Sequence, residues 1–519
     1  MKQYRYYPMH MHIHTCFQGG ACMESQIYNA KKLGMQYIRF TDHDSTLGRA
    51  RTPVIDFTRH ELEYTDPNGR KVRFDALGDT ELSFEGDALR IASREAGGMQ
   101  LWTKKHWHMI SLLARPQLEL GVRVLCGEAK LVLSFSQRPP HMIPTKMEFP
   151  LTAQQQDYAF DLAALVPEEL GGQDNALTDI TIWVLEGTVL VDRLALSCDH
   201  EPQEMWEKQK ALAETIGMRY GVKPFVGYEL SMAGEHKNSL CGHVPIFRYD
   251  AAQTKKTDRE GAEHILSHGG IFSYNHPLAH LKRIHGVDVP EAERENAVRA
   301  YAAHLIASRV FGASVIEVGF PEGRGVGITL GHYLQLWDLL SLAGIFITGD
   351  GSSDSHSSLK GWLDGNNFAT WVAAEENLEF PISEEEFNKS LVAGRAYTGD
   401  PVKFMGSLEF SAEGLPMGAI HGYRDGEKKP VAFRFAADGL RPGWKIRAVI
   451  NGMELFQKEM AEETAELSFE VIPTHTVNFV RMEIYDENGR CVLLTNPVYM
   501  VNLDTFRGVL PEERTYGRL

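Results

Sequence analysis

The first fifty residues alternate between strand-like and helix-like hydrophobic patterns. Apolar and polar residues alternate with a period of two over residues 4–15, which predicts a strand, and residues 24–33 have the spacing of a short helix. A compact apolar run over residues 35–41 predicts a second strand. A similar alternation of strands and helices returns at about residue 200 and continues to about residue 398. These two parts of the chain therefore have the pattern of an α/β protein.

The residues between these two parts have a different pattern. Helical periodicity is sparse over residues 52–199, and apolar runs such as LELGVRVLC and DITIWVLEG are separated by glycine, proline and asparagine turns. This pattern predicts an inserted all-β sandwich. Residues 399–519 are also rich in strand-like runs and predict a small C-terminal β-sandwich with a tail. We therefore expect an α/β barrel formed by residues 1–51 and 200–398, with the first sandwich inserted into one of its loops.

The composition disfavours several classes of partner. The chain has 519 residues, and its 53 basic and 69 acidic side chains give a formal net charge of −16. Because nucleic acids and anionic membranes bind cationic surfaces, we expect neither as the main partner. The six cysteines lack CxxC spacing, which indicates reduced thiols. Since the chain shows no signal-peptide pattern and no apolar run of membrane-spanning length, we expect a cytoplasmic protein.

Histidine, aspartate and glutamate gather at the predicted ends of hydrophobic strands. In chain order, these residues are His14, Asp42 with His43, Glu229, His276, Glu317, and Asp350 with Asp354 and His356. Because the parallel strands of an α/β barrel bring their carboxyl ends to one face, we expect these side chains to meet there. Imidazoles and carboxylates together suit zinc, manganese or iron, and a bridging carboxylate can hold two such ions. The pattern therefore predicts a metal centre built from several strands.

Five short motifs carry a family resemblance. HIHT (12–15), TDHD (41–44), GYEL (227–230), YNHP (274–277) and SSDSH (352–356), in this order, resemble the PHP (polymerase and histidinol phosphatase) family of metal-dependent phosphoesterases. The resemblance implies a distorted (β/α)7 barrel with two or three divalent metal ions. The tail is similar to the CehA/McbA-type metallohydrolases, in which a turn like LVAGRAYTGDP leads into a small sandwich that closes near TNPVY. The insertion lies outside this resemblance.

The resemblance also implies a set of metal ligands. They are His12, His14 and Asp354 for the first ion, His243 and His276 for the second with Glu229 bridging the two, and His43 with His356 for a third. The family usually has an acidic residue shortly after HxHT, whereas this chain has Gly19 in that stretch. The third site therefore lacks a ligand unless Asp42 or water completes it. A binuclear centre is the main expectation, and a trinuclear centre is the alternative.

Four nearby side chains have more than one interpretation. His10 shares the strand face of His12 but lies further from the strand end, so we expect a packed or supporting histidine. Asp42 either completes a metal site or caps the turn that follows it. Glu317 and Asp350 either orient a ligand or the substrate or pair with a basic residue, and we expect the supporting role.

These expectations define a predicted function. We expect a metal-dependent hydrolase, mainly a phosphoesterase, in which a metal-bridging hydroxide attacks a small phosphate ester. The predicted catalytic residues are Glu229, His43 and His356. Hydrolysis of a carboxyl or carbamate ester by the same centre is one alternative, and a catalytically idle, metal-containing glycan-binding protein is another.

The inserted region leaves its own alternatives open. Its last strand-like run, GTVLVDRLALS, is similar to the closing strand of jelly rolls that bind carbohydrate. Carbohydrate is therefore a candidate partner of the insertion, beside a role as a lid or an oligomerisation module. The oligomeric state, the natural substrate and the metal identity are not determined by the sequence.

Overall fold

The computed structural model describes most of the chain. The described residues are 3–15, 22–44, 54–67, 71–101, 110–138, 143–198, 202–231, 235–247, 257–279, 281–319, 326–356 and 368–518.

Six of the seven α-helices of the described residues lie outside the inserted region, residues 52–199. The seven are α1 (Met23–Lys32), α2 (Leu162–Leu165), α3 (Pro202–Tyr220), α4 (Asp258–Ser267), α5 (Glu291–Ala307), α6 (Leu330–Leu342) and α7 (Glu384–Val392). Short 3₁₀ helices occur at Phe57–Arg59, Leu112–Ala114, Glu168–Leu170, Gly172–Asp174, Lys282–Ile284, Arg309–Gly312 and Asp425–Glu427. No described helix combines the length and the apolar character needed to cross a membrane.

Strands occur in all parts of the chain. The first set is β1 (Tyr4–His10), β2 (Tyr37–Phe40), β3 (Glu63–Thr65), β4 (Lys71–Arg73), β5 (Asp75–Glu85), β6 (Ala88–Gln100), β7 (Ile110–Ser111), β8 (Gln117–Arg138), β9 (Ile143–Leu151), β10 (Asp157–Asp161) and β11 (Ala176–Ser197). The second set is β12 (Lys223–Val226), β13 (Tyr228–Ser231), β14 (His236–Ser239), β15 (Phe272–Tyr274), β16 (Val315–Gly319), β17 (Thr348–Gly351), β18 (Ala369–Glu375) and β19 (Ala396–Gly399). The last set is β20 (Ser407–Ala412), β21 (Leu415–Pro416), β22 (Ile420–Tyr423), β23 (Val431–Asp438), β24 (Lys445–Ile450), β25 (Met453–Glu459), β26 (Thr464–Val471), β27 (Val477–Tyr485), β28 (Cys491–Thr495), β29 (Val498–Asn502) and β30 (Tyr516–Arg518).

Two sheets position the residues of interest. A twelve-stranded sheet has the order β12-β2-β1-β18-β19-β28-β27-β29-β22-β30, with β24 beside β27 and β25 beside β24. A five-stranded sheet has the order β13-β14-β15-β16-β17. The two sheets meet at isolated bridges, where Ile13 pairs with Ser355 and His43 pairs with Glu229. The ends of β1, β2, β13, β15 and β17 consequently lie close to one another.

The expected (β/α)7 barrel is wrong. Strands contain 44% of the residues and helices 23%, so the protein is dominated by β-sheets. β13, β14 and β15 pair antiparallel, and β18 runs antiparallel to β1, so the strands around the site do not form one closed parallel barrel. Apolar runs predict where strands occur but do not specify their partners, and here the partners differ from those expected.

The C-terminal strands are not a separate sandwich, which corrects a second part of the fold prediction. β19 pairs with β18 on one side and with β28 on the other, so seven strands after residue 400 continue the sheet that begins with β1. The remaining strands of this region form a four-stranded sheet in the order β21-β20-β23-β26. The first and last parts of the chain therefore share a continuous sheet.

The inserted region forms a seven-stranded antiparallel sheet with the order β10-β8-β11-β6-β5, in which β7 and β9 pair with β11 and β8. It has a hydrophobic core of its own, which includes Leu131, Ile180 and Val191. Other residues of the region, Leu113, Ala114 and Ala176, belong instead to the large core of the remaining chain. The insertion is therefore packed against the rest of the protein and shares buried surface with it.

Candidate metal centre

The structure brings seven of the eight predicted metal ligands together. They are His12, His14, His43, Glu229, His276, Asp354 and His356, and all of them belong to groups of donor atoms that could hold a metal ion. The side chains come from the ends of strands in both sheets. His12, His14, Glu229 and His276 are almost completely buried, whereas the side chain of His356 is 42% exposed. The centre is therefore a buried group of donors with one histidine at its rim.

The donor atoms of the first group are as close to one another as the ligands of one metal ion. His12 Nε2 and His14 Nε2 are 3.0 Å apart, and Asp354 Oδ1 lies 3.4 Å from the former and 2.8 Å from the latter. Glu229 Oε2 lies 3.5 Å and 3.4 Å from the same two nitrogens. Ligands about 2.1 Å from a tetrahedral ion are about 3.4 Å from one another. These five separations between donor atoms are thus within 0.6 Å of the distance between two ligands of such an ion.

Glu229 extends from this group to a second one. Its Oε2 atom faces His12 and His14 and lies 2.8 Å from His43 Nδ1. Its Oε1 atom lies 2.9 Å from His236 Nδ1 and 3.3 Å from His276 Nε2. The two oxygens of this one carboxylate therefore face different sets of imidazoles, as a carboxylate bridging two ions would.

His243 is the one predicted ligand that the structure does not bring to the centre. It is exposed and belongs to none of the candidate groups among the described residues, whereas His236 does. β13 and β14 form an antiparallel hairpin in which Glu229 pairs with Asn238 and Ser231 with His236. Because paired residues and alternate residues share a face, Glu229 and His236 lie on the same side of the hairpin. Because the sequence of β14 is HKNS, the apolar runs gave no signal for this hairpin.

A third group consists of His14, His43 and His356. The ring of His356 stacks on that of His14 with centroids 4.1 Å apart, and the ring of His43 lies 5.0 Å from His14. His356 Nδ1 lies 3.0 Å from the carbonyl oxygen of Asp354 and can donate to it. Gly19, at which the family resemblance departs from its usual pattern, lies outside the described residues.

Glu317 orients the ligands and is not itself in a donor group. His12 Nδ1 donates to Glu317 Oε1 over 2.6 Å, which directs the Nε2 lone pair of His12 toward the first group. The second oxygen of Glu317 accepts from the backbone N–H of His276 over 2.6 Å. Ser352 Oγ donates to Glu317 Oε1 over 2.8 Å. One buried carboxylate thus connects ligands from two strands.

The other side chains with open interpretations lie around the centre. Asp42 accepts from Thr15 N and Thr15 Oγ1, both at 2.7 Å, and from Gln209 Nε2 at 2.5 Å, so it holds the chain directly after His14. His10 is buried outside the donor groups, and burial lowers its pKa to about 3. Asp350 is also buried, and burial followed by the charge of Glu317 raises its pKa well above the usual value.

Two of the candidate ligands have an unusual backbone conformation. His276 has a φ of 28° and Asp354 a φ of 47°, values that are uncommon for residues other than glycine. Such conformations cost about 1–3 kcal/mol and persist where the surrounding structure imposes them, often at functional sites. His276 lies two residues after β15 and Asp354 three residues after β17, and both side chains belong to a donor group.

The charges in the centre favour a cation. Burial alone would lower the pKa of His12, but Asp354, Glu229 and Glu317 raise it well above its usual value. Burial would raise the pKa of Glu229, but the neighbouring histidines lower it well below its usual value. Burial also lowers the pKa of His14 to about 3, so this imidazole is a neutral donor near pH 7. The carboxylates thus produce a negative field beside neutral nitrogen lone pairs, which suits a divalent metal.

Comparisons with known proteins give no family for this chain. No family model matches it, and no curated protein matches it.

Its structural neighbours include carbohydrate-binding domains. An exo-β-agarase is 10% identical and matches over 30% of this chain and 27% of that chain, with a TM-score of 0.21. TmCBM61 in complex with β-1,4-galactotriose is 10% identical. The match covers 29% of this chain and 100% of that chain, with a TM-score of 0.19. The xylan-binding domain CBM22-1 from Paenibacillus barcinonensis is 11% identical. The match covers 29% of this chain and 97% of that chain, with a TM-score of 0.18. At these scores neither a shared fold nor a shared function follows.

Proposed function

We propose that this protein is a metal-dependent hydrolase of ester bonds, with a phosphate ester as its substrate. The observation that carries this proposal is the spacing of 2.8–3.5 Å that buried donor atoms of His14, Asp354 and Glu229 keep from one another or from His12 Nε2. Buried carboxylates and neutral imidazoles at such distances are the donor set of zinc, manganese or iron sites. We further propose two ions, because each oxygen of Glu229 faces a different set of histidines.

Divalent ions held by these residues would supply Lewis-acid chemistry, which activates water as a nucleophile and neutralises charge on the reacting ester. The protein's own residues would bind the ions and fix their orientation. His12, His14 and Asp354 would hold the first ion, His236 and His276 the second, and Glu229 both. Glu317 would keep His12 in the tautomer that offers Nε2.

The histidines at the rim would handle protons. The side chain of His356 is 42% exposed and that of His43 is 15% exposed, so both lie between the buried donors and solvent. We propose that His356 donates a proton to the leaving oxygen and recovers it from water. His43 either serves a third ion together with His14 and His356 or acts as the second proton donor.

Metal analysis and a panel of esters test the hydrolase proposal. Protein loaded with Zn²⁺ or Mn²⁺ should hydrolyse p-nitrophenyl phosphate or bis(p-nitrophenyl) phosphate, and His14→Ala and Glu229→Gln should abolish the activity. His421→Gln is the matched control, because His421 is a buried histidine in the C-terminal part of the same sheet. Metal binding without turnover of any ester would contradict the enzyme proposal.

The substrate class rests on charge. Two divalent ions would outweigh the negative charge of Glu229, Asp354 and Glu317 and leave a field that favours an anionic phosphate ester. A carboxyl or carbamate ester is the alternative with the same centre. Activity toward p-nitrophenyl acetate without activity toward either phosphate ester would decide for that alternative.

Glycan binding by the inserted sheet is a second candidate function. A cleft of about 650 Å³ lies where β5, β6, β8 and β11 shift register, and its lining includes Asp79, Glu81, Arg90, Ser93, Arg94 and Thr188. Charged and hydroxyl side chains of this kind can form hydrogen bonds with a hydroxyl-rich ligand. Titration calorimetry with galactan and xylan oligosaccharides tests this proposal, and binding that survives Arg94→Ala and Glu81→Ala would place the ligand elsewhere.

Two expectations from the sequence remain proposals. The resemblance of five motifs to the PHP family supports the proposed chemistry and is retained for that chemistry, not for the fold. A cytoplasmic location is supported by cysteines that form no disulfide among the described residues, namely Cys22, Cys126, Cys198, Cys241 and Cys491.

A further inference from the structure

A carboxylate of the inserted region caps a helix of the main body. Asp174 Oδ1 accepts from Met23 N over 2.9 Å, and Asp174 Oδ2 accepts from Glu24 N over 2.8 Å. These N–H groups begin α1, whose own N-cap residue, Cys22, makes no side-chain capping bond. Because the first N–H groups of a helix have no partner within the helix, a carboxylate here binds strongly and also interacts favourably with the helix dipole. Asp174 is 2% exposed, so solvent does not replace this contact.

The first turn of α1 in turn holds the backbone of a candidate metal ligand. Gln26 Nε2 donates to the carbonyl oxygen of His14 over 3.0 Å, and both residues are fully buried. The N–H of His14 donates to the carbonyl oxygen of Ser355 over 3.1 Å. Both backbone groups of His14 are therefore fixed, one of them by the turn that Asp174 caps.

Further contacts tie the insertion to this part of the protein. Glu24 Oε1 accepts from Arg219 Nη1 over 2.9 Å and from Tyr220 Oη over 2.8 Å, at the end of α3. Arg219 also lies 3.8 Å from Glu168 of the insertion. Leu113, Ala114 and Ala176 of the insertion pack in the same core as Met23 and Ile27 of α1. The insertion is therefore held rigidly beside the helix that follows His14.

We propose that Asp174 is a positioning residue of the metal centre, through which the inserted sheet holds α1 and, by way of Gln26, the backbone of His14. This inference rests on the proposed function, because it assumes that His14 binds metal. The insertion then has a direct role in ordering the centre, whether or not it also binds a ligand. Asp174 acts at a distance of one helical turn and belongs to none of the donor groups among the described residues.

The test measures metal affinity and the geometry of the site in the full-length protein. Asp174→Ala should weaken Zn²⁺ binding about threefold to tenfold in competition titrations, somewhat less than the loss on removing a direct partner of a ligand. It should also change the visible absorption spectrum of the Co²⁺-loaded protein, which a loss of stability alone would not do. Asp174→Asn keeps one acceptor oxygen and should recover part of both signals.

Asp161→Ala is the matched control. Asp161 caps α2 by accepting from Ala163 N and Ala164 N, which belong to the insertion itself and not to α1. This variant should lose thermal stability but keep the Zn²⁺ affinity and the Co²⁺ spectrum of the wild type. An Asp174→Ala protein with both wild-type signals would overturn the inference.

A second variant keeps the inference testable if Asp174→Ala does not fold. Gln26→Ala removes the hydrogen bond to His14 and leaves the cap in place, and it should weaken Zn²⁺ binding in the same direction. In the double variant the two effects should combine to less than their product, because they act along one route. If the two losses of Zn²⁺ affinity instead multiply in the double variant, Asp174 and Gln26 act independently, which would contradict that route. Failure of the wild type to bind Zn²⁺ would refute the proposed function instead, which separates the two failures.

Discussion

Two buried clusters of charged side chains differ in the source of their positive charge. Next to α6, Arg447 and Arg481 surround Asp338 and Glu483, with Arg481 Nη2 2.8 Å and Arg447 Nε 2.9 Å from oxygens of Glu483. Two cations and two anions balance within this cluster. In the candidate metal centre, the ion-pair partners of the carboxylates among the described residues are histidines.

The difference separates a cluster that balances its own charges from one that a cation could balance. Burying a charge is costly unless a partner compensates it, and guanidinium groups provide that compensation permanently. Imidazoles with pKa values near neutrality provide it only when protonated, and as neutral donors they instead prefer a metal ion. The first cluster should therefore be sensitive to the loss of an arginine, and the second to the loss of metal.

The largest expected effect is the loss of catalysis on removing the bridging carboxylate. Glu229→Gln keeps the size of the side chain but removes its negative charge, and we expect hydrolysis to fall by at least about 1000-fold, or about 4 kcal/mol. Metal content and kcat/KM with p-nitrophenyl phosphate check this result. In the absence of metal the variant should be less stable than the wild type, because His12 and His43, whose pKa values Glu229 raises, lose their buried partner. A variant that retains its metal and most of its activity would remove Glu229 from the centre.

The next effect concerns stability in the balanced cluster. Arg481→Leu leaves Asp338 and Glu483 buried without their common partner, and we expect a loss of about 3–5 kcal/mol in the free energy of unfolding. Urea denaturation with added and with chelated metal measures it, and the loss should be the same in both. The control is Arg434→Leu, because Arg434 forms an exposed pair with Glu466 and its loss should cost less than about 1 kcal/mol. Equal losses in the two variants would contradict the role given to Arg481.

A smaller effect is expected at the orienting carboxylate. Glu317→Gln weakens the acceptor of His12 Nδ1–H without removing a donor atom of the centre, so we expect metal affinity to fall about 10- to 100-fold. Calorimetric titration with Zn²⁺ gives the affinity, and the number of ions bound should not change. The prediction fails if one ion is lost, since Glu317 would then be a ligand itself.

The smallest effect concerns a buried histidine outside both clusters. His421 Nε2 donates to the carbonyl oxygen of Ala412 over 3.1 Å, and burial lowers the pKa of this histidine in the folded protein. The unfolded chain therefore takes up a proton more readily below about pH 6.5, and stability falls as pH falls, by at most about 1.4 kcal/mol per pH unit. His421→Gln keeps a donor but does not titrate, so it should lose less stability between pH 7.5 and pH 5 in urea denaturation. A steeper loss in the variant would contradict this sign.

The sequence predicted which side chains lie together better than it predicted the fold. The alternation around His12 and His14 and the polar residues after later strands were enough to select side chains that the structure brings together. Donor identity depends on local patterns, which are visible in the chain. Strand pairing depends on contacts between distant segments, such as that of β19 with β28, and nothing in the apolar runs specifies it.

The sequence did not identify His236 or Asp174, because their roles also depend on contacts between segments of the chain. His236 and His243 are both histidines close after a short strand, and the antiparallel register of β13 with β14 is what brings the first to Glu229. Asp174 lies about 150 residues from the helix that it caps, so no local pattern could have connected them. Tertiary contacts of this kind need the structure.

The central claim, that this cluster is completed by metal, is tested most directly by titrating metal-free protein with Zn²⁺ in a calorimeter while thermal unfolding is followed in parallel. We predict about two ions per chain and a rise in the unfolding temperature of the wild type that is absent from Glu229→Gln. Binding of less than one ion per chain, with an unfolding temperature that does not respond to Zn²⁺, Mn²⁺ or Fe²⁺, would contradict the account.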